Sequence, residues 1–299
     1  MKHLLKLLDL TGDEIIGLLN VADQLKYEHK HGVEHHHLKG KTLGMIFQKS
    51  STRTRVSFEV GMYQLGGYSL FLSGSDLQLG RGEPIEDTAK VLSRYLDGIM
   101  IRTFSQKDVE DLARYGSIPV INGLTDDFHP CQVLADLMTI REHKSVLEGL
   151  KLSFIGDGGN MANSLIVGGL KTGMRVSVAT PENYRPAQSA LEFAGNNDSF
   201  TLTDDIFEAV RDADVVVTDV WASMGQEGEA EARRKAFAGY QVNHGLMKAA
   251  KPDAIVLHCL PAHRGEEITA EIIDSHPEIF DEAENRLPAQ KAVLLTLMR

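Results

Sequence analysis

Residues 47–59 read FQKSSTRTRVSFE, with four hydroxyl residues (Ser50, Ser51, Thr52, Thr54) set around two arginines, Arg53 and Arg55. An apolar-periodic run follows directly (Val56, Phe58, Val60, Met62, Tyr63, Leu65) and stops at Gly66-Gly67. Hydroxyls ahead of such a run predict a helix N-terminus, where unpaired N–H groups and the positive end of the helix dipole face outward. Two guanidiniums at that end make a receptor for a dianion such as phosphate. The plainer alternative is an N-cap with solvated arginines.

Two further groups could do chemistry. Arg102 emerges at the carboxyl end of the apolar run DGIMIRTF (97–104), the strand end at which open α/β sheets hold ligands; a structural arginine is the alternative. In HPCQ (129–132), Pro130 suits a first helical turn, so His129 and Gln132 face the same way. Together they could direct a ring N–H and an amide at one carbonyl, although histidine at such a place also serves as a cap.

Other motifs carry less. His29, His31, His35, His36 and His37 suggest a metal tract, but beside Glu28, Lys30 and Glu34, with no thiol or carboxylate motif, they read as a solvated loop. GDGGN (156–160) invites a dinucleotide reading, yet the third glycine is absent and the next strand, RVSVAT, ends in Thr180 rather than an acid. Cys131 and Cys259 each sit in a His- and Pro-bearing motif, unlike a disulfide scaffold, and suit a reducing cytosol.

Several elements must position these residues. Strands are expected at 42–47, 68–72, 97–104, 118–122, 150–155, 175–180, 200–203, 213–220 and 254–260. Helices are expected over 4–26, onward from the hydroxyl cluster that ends at Thr54, from about 86, from Pro130, to about 172, over 186–194, 206–211, 230–238 and 243–251, and from about 284. The alternation predicts an α/β protein of two doubly wound parallel-sheet domains with the active site in the cleft between them. Residues 1–135 would form the first domain, with the 284–299 helix packing back on it, and 136–283 the second. At 299 residues the chain is long enough for two cores. A net charge of −11 argues against nucleic acid, and no 18-residue apolar run exists for a membrane span. The start, MKHLLKLLDLTGDEI, is broken by charges and is expected to be neither a signal nor a transit peptide.

STRTR (51–55), Arg102 in IMIRTF, HPCQ, DVWASMGQE (219–227) and HCLPAHRGEE (258–267) occur in this order, and the set resembles the aspartate/ornithine carbamoyltransferase family. The likeness runs from LLDLTGDEI to AENR (283–286), and SMG after DxW, with HCLP, is similar to the ornithine branch. It implies transfer of the carbamoyl group from carbamoyl phosphate to the δ-amine of L-ornithine, giving citrulline and phosphate, without metal or organic cofactor, in a cytoplasmic homotrimer or a multiple of it. Position by position it implies Ser51, Thr52, Arg53 and Thr54 on the phosphate and carbonyl end, and Gln78 supplied by a neighbouring subunit. Arg102, His129 and Gln132 would bind the carbamoyl group, and Asn160, Asp219, Ser223 and Met224 the amino-acid end of ornithine. Cys259, Leu260 and Arg286 would close over the reacting centre. Two departures stand out: Gln48 replaces a usual acid, and GDGGN a more usual GDGNN, which leaves Asn163 as an alternative to Asn160.

On that reading no covalent nucleophile is needed, because carbamoyl phosphate is already activated. Arg102, His129 and the Thr54 hydroxyl suit charge on the carbonyl oxygen, and Arg53 with the helix start suits the departing phosphate. Arg53, Arg102, His129 and Cys259 are thus the candidate catalytic residues. Asp219 and Cys259 could each take the δ-ammonium proton; alternatively Asp219 grips the α-ammonium and Cys259 is a small wall residue. Ordered binding and domain closure are expected. Rival readings are a transferase for another amine, such as putrescine, and a non-catalytic carbamoyl-phosphate binder.

Overall fold

The computed structural model describes residues 1–77, 82–223, 225 and 227–299. The chain divides into two compact units, one of Met1–Leu134 with Arg286–Arg299 and one of Ala135–Asn285.

The first unit is built on four strands, β1 (Thr42–Phe47), β2 (Tyr68–Ser73), β3 (Gly98–Arg102) and β4 (Val120–Leu124), in the order β2-β1-β3-β4. All pairs are parallel. β1 and β3 are apolar along nearly their whole length because both faces are covered. Ile46, Ile99, Ile101, Val109, Leu112 and Val120 form the core between β1, β3, β4 and α4 (Gln106–Tyr115). The chain order reverses between β1 and β3, so their carboxyl ends open a crevice, and register sets Arg102 beside Phe47 there. α1 (Gly12–Lys30) starts on the capping box expected from Thr11 and Glu14, and α2 (Thr52–Gln64) follows β1. α3 (Ile85–Leu92) precedes β3.

The second unit has five parallel strands, β5 (Lys151–Ile155), β6 (Arg175–Ala179), β7 (Phe200–Thr203), β8 (Val215–Thr218) and β9 (Ile255–His258), in the order β7-β6-β5-β8-β9. Its switch point lies between β5 and β8, where Ile155 pairs with Thr218. GDGGN leaves β5, DVW leaves β8 and HCLP leaves β9, all at carboxyl ends. Flanking helices are α6 (Asn160–Lys171), α7 (Gln188–Ala194), α8 (Ile206–Val210), α9 (Ala230–Ala236), α10 (His244–Met247) and α11 (Ala270–Ser275). α5 (Pro130–Lys144) and α12 (Glu278–Met298) each run through a unit boundary.

The two-sheet α/β architecture is the one the alternating pattern predicts, and the differences are local. α4 went unpredicted: of its ten residues only Val109, Leu112 and Ala113 form an apolar stripe, and Ser105 makes no side-chain cap. α11 was likewise missed, being one short turn after Thr269. α10 stops at Met247 rather than near 251, since Lys251 precedes Pro252 and is biased away from helix. α12 begins at Glu278, earlier than expected. Its acidic first turns look solvated in sequence, but Glu278 and Glu282 are buried and accept the Val256 and His258 N–H groups at 3.0 and 2.8 Å. The histidine loop is exposed as expected except at His35, which is buried with Nε2 2.6 Å from Lys291 Nζ.

Candidate active site

In the first unit the predicted phosphate turn is a helix start. Ser51 is extended and caps α2, its Oγ accepting the Thr54 N–H at 3.2 Å. The two arginines separate. Arg55 turns outward, pairing with Glu59 at 3.0 Å and lying over the Phe71 ring, so it leaves the expected two-guanidinium receptor with Arg53 alone.

Other guanidiniums replace it. Arg102 is buried at the end of β3, and Arg286 arrives on α12. Arg286 Nη2 donates to the buried Thr54 Oγ1 at 3.1 Å and its Nη1 to Gln132 Oε1 at 2.7 Å, tying the start of α2 to the start of α5. Gln290, with its amide oxygen turned to the guanidinium, accepts from Arg286 Nε at 3.3 Å. His129 ends the loop before α5, where its carbonyl accepts the Gln132 N–H at 3.2 Å. Burial, followed by the charges of Arg286, Arg102 and Arg53, holds its imidazole well below the usual histidine range. The ring is therefore neutral at pH 7, able to donate from one nitrogen without adding charge. Three permanent cations around one neutral donor suit an oxyanion and a phosphate dianion together.

The neighbours are structural. Cys131 donates to the Asn122 carbonyl at 3.4 Å, and burial pushes its thiol up to about 12, which removes it as a nucleophile. Gln48 Oε1 accepts the Thr103 hydroxyl, and the Gln48 N–H donates to the Arg102 carbonyl at 2.9 Å. The amide at this position therefore braces the strand end that carries Arg102. Lys49 pairs with Asp126 and lies over the Phe104 ring.

In the second unit, Asn160 opens α6 directly after the β5 turn. Glycine is required at 158: a Cβ there would lie 2.3 Å from the Arg185 carbonyl carbon and 2.4 Å from Pro186 N. The glycine-rich turn thus answers close backbone packing. Asn163 is buried with Oδ1 accepting the Ala187 N–H at 2.8 Å, which commits it to structure and favours Asn160 of the two asparagines.

Asp219 follows β8 and Cys259 follows β9, and the Cys259 Sγ–H donates to Asp219 Oδ1 at 3.0 Å. Burial, then the Asp219, Glu282 and Asp136 charges, pushes the thiol well above its usual range, so it stays protonated. A thiol in that state is a donor and a wall, and it cannot serve as a general base near neutrality. Leu260 has φ 53° and its N–H donates to His258 Nδ1 at 2.9 Å, which leaves Nε2–H to donate to Glu267 Oε1 at 3.0 Å. Both partners of that pair are fully buried. The His258–Glu267 bond shapes the turn that presents the Cys259 and Leu260 carbonyls.

Sequence reading missed His258, Glu267 and Arg233. The first two lie inside HCLPAHRGEE, where the ends of the motif were the available signal. Arg233 looks solvated in AEARRKAF, yet it is buried and donates to Asp157 Oδ2 at 3.0 Å, to the Trp221 carbonyl at 2.9 Å and to Glu229 Oε2 at 3.2 Å. It clamps the loop of Ser223 to the turn of Asn160. Ser223 is half-buried after Trp221, while Gln78 and Met224 lie outside the described residues.

Two groups of side chains among the described residues bring metal-type donors within 4.8 Å of one another: Asp219, His258 and Cys259, and His263, Glu266 and Glu267. In the first, both His258 nitrogens are engaged and the thiol is protonated, so a metal would have to displace those bonds. The second shares its Glu267 with the same turn.

Two parallel-sheet units, one with a cationic helix-start cradle and one with a carboxylate and thiol past the carboxyl ends of β8 and β9, match the two halves of one family. Residues 2–142 match the family model described as aspartate/ornithine carbamoyltransferase, carbamoyl-P binding domain, and residues 148–297 match the Asp/Orn binding domain. The chain belongs to the aspartate/ornithine carbamoyltransferase family. Similar relatives are the ornithine carbamoyltransferases of Oceanobacillus iheyensis (59% identical, covering 99% of this chain and 94% of the relative) and Thermococcus kodakarensis (58%, covering 99% and 96%). Among solved structures, the Pyrococcus furiosus ornithine carbamoyltransferase superposes with a TM-score of 0.95 at 56% identity, covering 99% of this chain and 97% of that one. The anabolic enzyme of Campylobacter jejuni gives 0.94 at 45%, covering 99% of each chain.

Proposed function

We propose that this chain transfers the carbamoyl group of carbamoyl phosphate to the δ-amine of L-ornithine, forming L-citrulline and phosphate. The observation that carries the reading is the set Arg53, Arg102 and Arg286 acting on neutral His129 beside the α2 N-terminus. Ser51, Thr52, Arg53 and Thr54 take the phosphate end, with the helix start as anion receptor. Arg102, His129 and Gln132 take the carbamoyl group, and Arg286 positions Gln132 and Thr54. As the amine attacks, charge grows on the carbonyl oxygen, where Arg102 and the His129 N–H stabilise it, and then passes to the phosphate held by Arg53.

Asp219 grips the α-ammonium of ornithine, with Asn160, Ser223 and Met224 around the amino-acid end. The Cys259 and Leu260 carbonyls accept from the carbamoyl NH₂. The protonated thiol is what favours a wall at Cys259 over a base. Relatives from Pyrococcus furiosus and Campylobacter jejuni carry the word anabolic in their names, which supports the citrulline-forming direction in arginine biosynthesis.

The working form is a homotrimer or a multiple of it, with Gln78 given to a neighbouring subunit. Exposed Val56 and Tyr63 on α2, and Tyr68 and Leu70 on β2, supply apolar surface for self-association. Both cysteines are free thiols and no described helix is long and apolar enough to cross a membrane, which fits a cytoplasmic setting. The test is citrulline formation by purified protein with carbamoyl phosphate and ornithine, putrescine, N-acetylornithine or aspartate. Ornithine alone should be carbamoylated rapidly; equal rates with putrescine would remove the role of Asp219.

A further inference from the structure

Asn160, Asp219 and Cys259 all sit past the carboxyl ends of the second sheet. At the opposite, amino-terminal ends of β5, β6 and β7 lies a separate cavity of about 290 Å³. Register pairs Lys151 with Arg175 and Ser177 with Thr201, so strand alternation puts all four side chains on one face. α8 covers that face beside them, receiving the Ser153 hydroxyl on its Ala209 carbonyl at 2.6 Å. Arg211, just past α8, completes the lining with Glu208 and Asp212.

Two features of this cavity point to a ligand. Ser177 is 2% exposed, and among the described residues its Oγ has no hydrogen-bond partner. An orphaned hydroxyl in a protein interior is destabilising unless a ligand satisfies it. Lys151, Arg175 and Arg211 crowd the same space, and among the described residues none is within ion-pair distance of a carboxylate. Lys151 Nζ donates instead to the Arg211 carbonyl at 2.7 Å. Glu208 is turned away onto Thr203 Oγ1 at 2.6 Å. Burial first, then the Arg175 and Arg211 charges, hold the Lys151 ammonium below its usual range against the opposing pull of Asp212 and Glu208.

We propose that this cavity is a second anion site, in which Lys151, Arg175 and Arg211 supply charge and Ser177 and Thr201 supply hydroxyl donors to a phosphate dianion. The three cations outnumber the two carboxylates of the lining, Glu208 and Asp212, and with two hydroxyl donors they suit a tetrahedral oxyanion better than a carboxylate. The volume admits inorganic phosphate or a small monoester and is too small for a dinucleotide.

The test is a titration of the full-length ¹⁵N-labelled protein with inorganic phosphate at constant ionic strength, following the backbone amides of residues 176–177 and 201. A saturable shift there is expected, absent with chloride, and at least tenfold weaker in an Arg175→Gln/Arg211→Gln variant, whose exposed positions leave the fold intact. Ser177→Ala should also weaken it while keeping or raising Tm without phosphate, since it deletes a group the fold does not satisfy. Glycerol 3-phosphate separates the sources: equal or tighter binding assigns a monoester, and weaker binding assigns free phosphate. The proposal is overturned by the absence of a saturable shift at these amides, by the same response to chloride, or by unchanged affinity in the double variant.

Discussion

Arg286 Nη1 donates to Gln132 Oε1 at 2.7 Å although the two residues stand 154 positions apart in the chain. Through this bond, and the one from Nη2 to Thr54, the last helix fixes two helix starts that are remote in sequence. Charge-assisted bonds contribute about 1.5–3 kcal/mol each. Arg286→Lys keeps the charge but can keep only one of the two bonds, so kcat/KM for carbamoyl phosphate should fall about 10- to 150-fold, at about 1.4 kcal/mol per tenfold. A Lys variant with wild-type kinetics would refute the bridging role.

Arg53 is the arginine of STRTR left to the helix start once Arg55 pairs with Glu59. Arg53→Ala should lower kcat/KM by one to two orders of magnitude or more, whereas Arg55→Ala should change it less than about threefold. The two variants assayed side by side separate the roles; equal losses would contradict the assignment.

His129 is held neutral, and the sign of its linkage follows. Its folded-state pKa lies below the unfolded value of about 6.5, so the unfolded chain binds more protons as the pH falls through that value. Stability should therefore drop below about pH 6.5, and His129→Gln should make that acid slope shallower while lowering kcat. Urea midpoints between pH 5 and 7.5 measure this; parallel slopes in the two proteins would exclude a depressed His129.

Cys259 is a protonated donor to Asp219. Alkylation by iodoacetamide should be slow at pH 7.5 and rise only well above pH 9. Cys259→Ser keeps a donor to Asp219 and a small side chain, so it should lose no more than about tenfold in kcat, about 1.4 kcal/mol. A loss of a thousandfold or more would instead make the thiol a chemical participant.

Lys291 is buried against His35 and Gln64, and burial brings its ammonium down to about 8. Below that pH the buried charge is present; above it, and until the unfolded chain releases its own proton near 10.4, the native state gains stability. Denaturation midpoints should thus rise between pH 8 and 10 relative to Lys291→Met. A variant that tracks the wild type across that range would contradict the linkage.

Much of this arrangement is legible in the sequence because strand runs and the turns after them are local signals. Ser51 as a cap, Arg102 at a strand end and His129 with Gln132 at a helix start all follow from short windows. Arg233 and Glu282 did not, since a charged residue on a helix reads as solvated until a distant backbone group or carboxylate claims it. Arg55 failed in the other direction: its neighbour Phe71 on β2 is invisible from the helix it stands on. The neutrality of His129 rests first on its burial and then on three guanidiniums from widely separated segments, none of which a short window shows.

Whether the α2 start with Arg53 receives the phosphate end of carbamoyl phosphate is decided by calorimetric titration of carbamoyl phosphate into wild-type protein and Arg53→Ala. One tight site per chain is expected in the wild type and at least a tenfold weaker Kd in the variant. Indistinguishable affinities in the two proteins would contradict it.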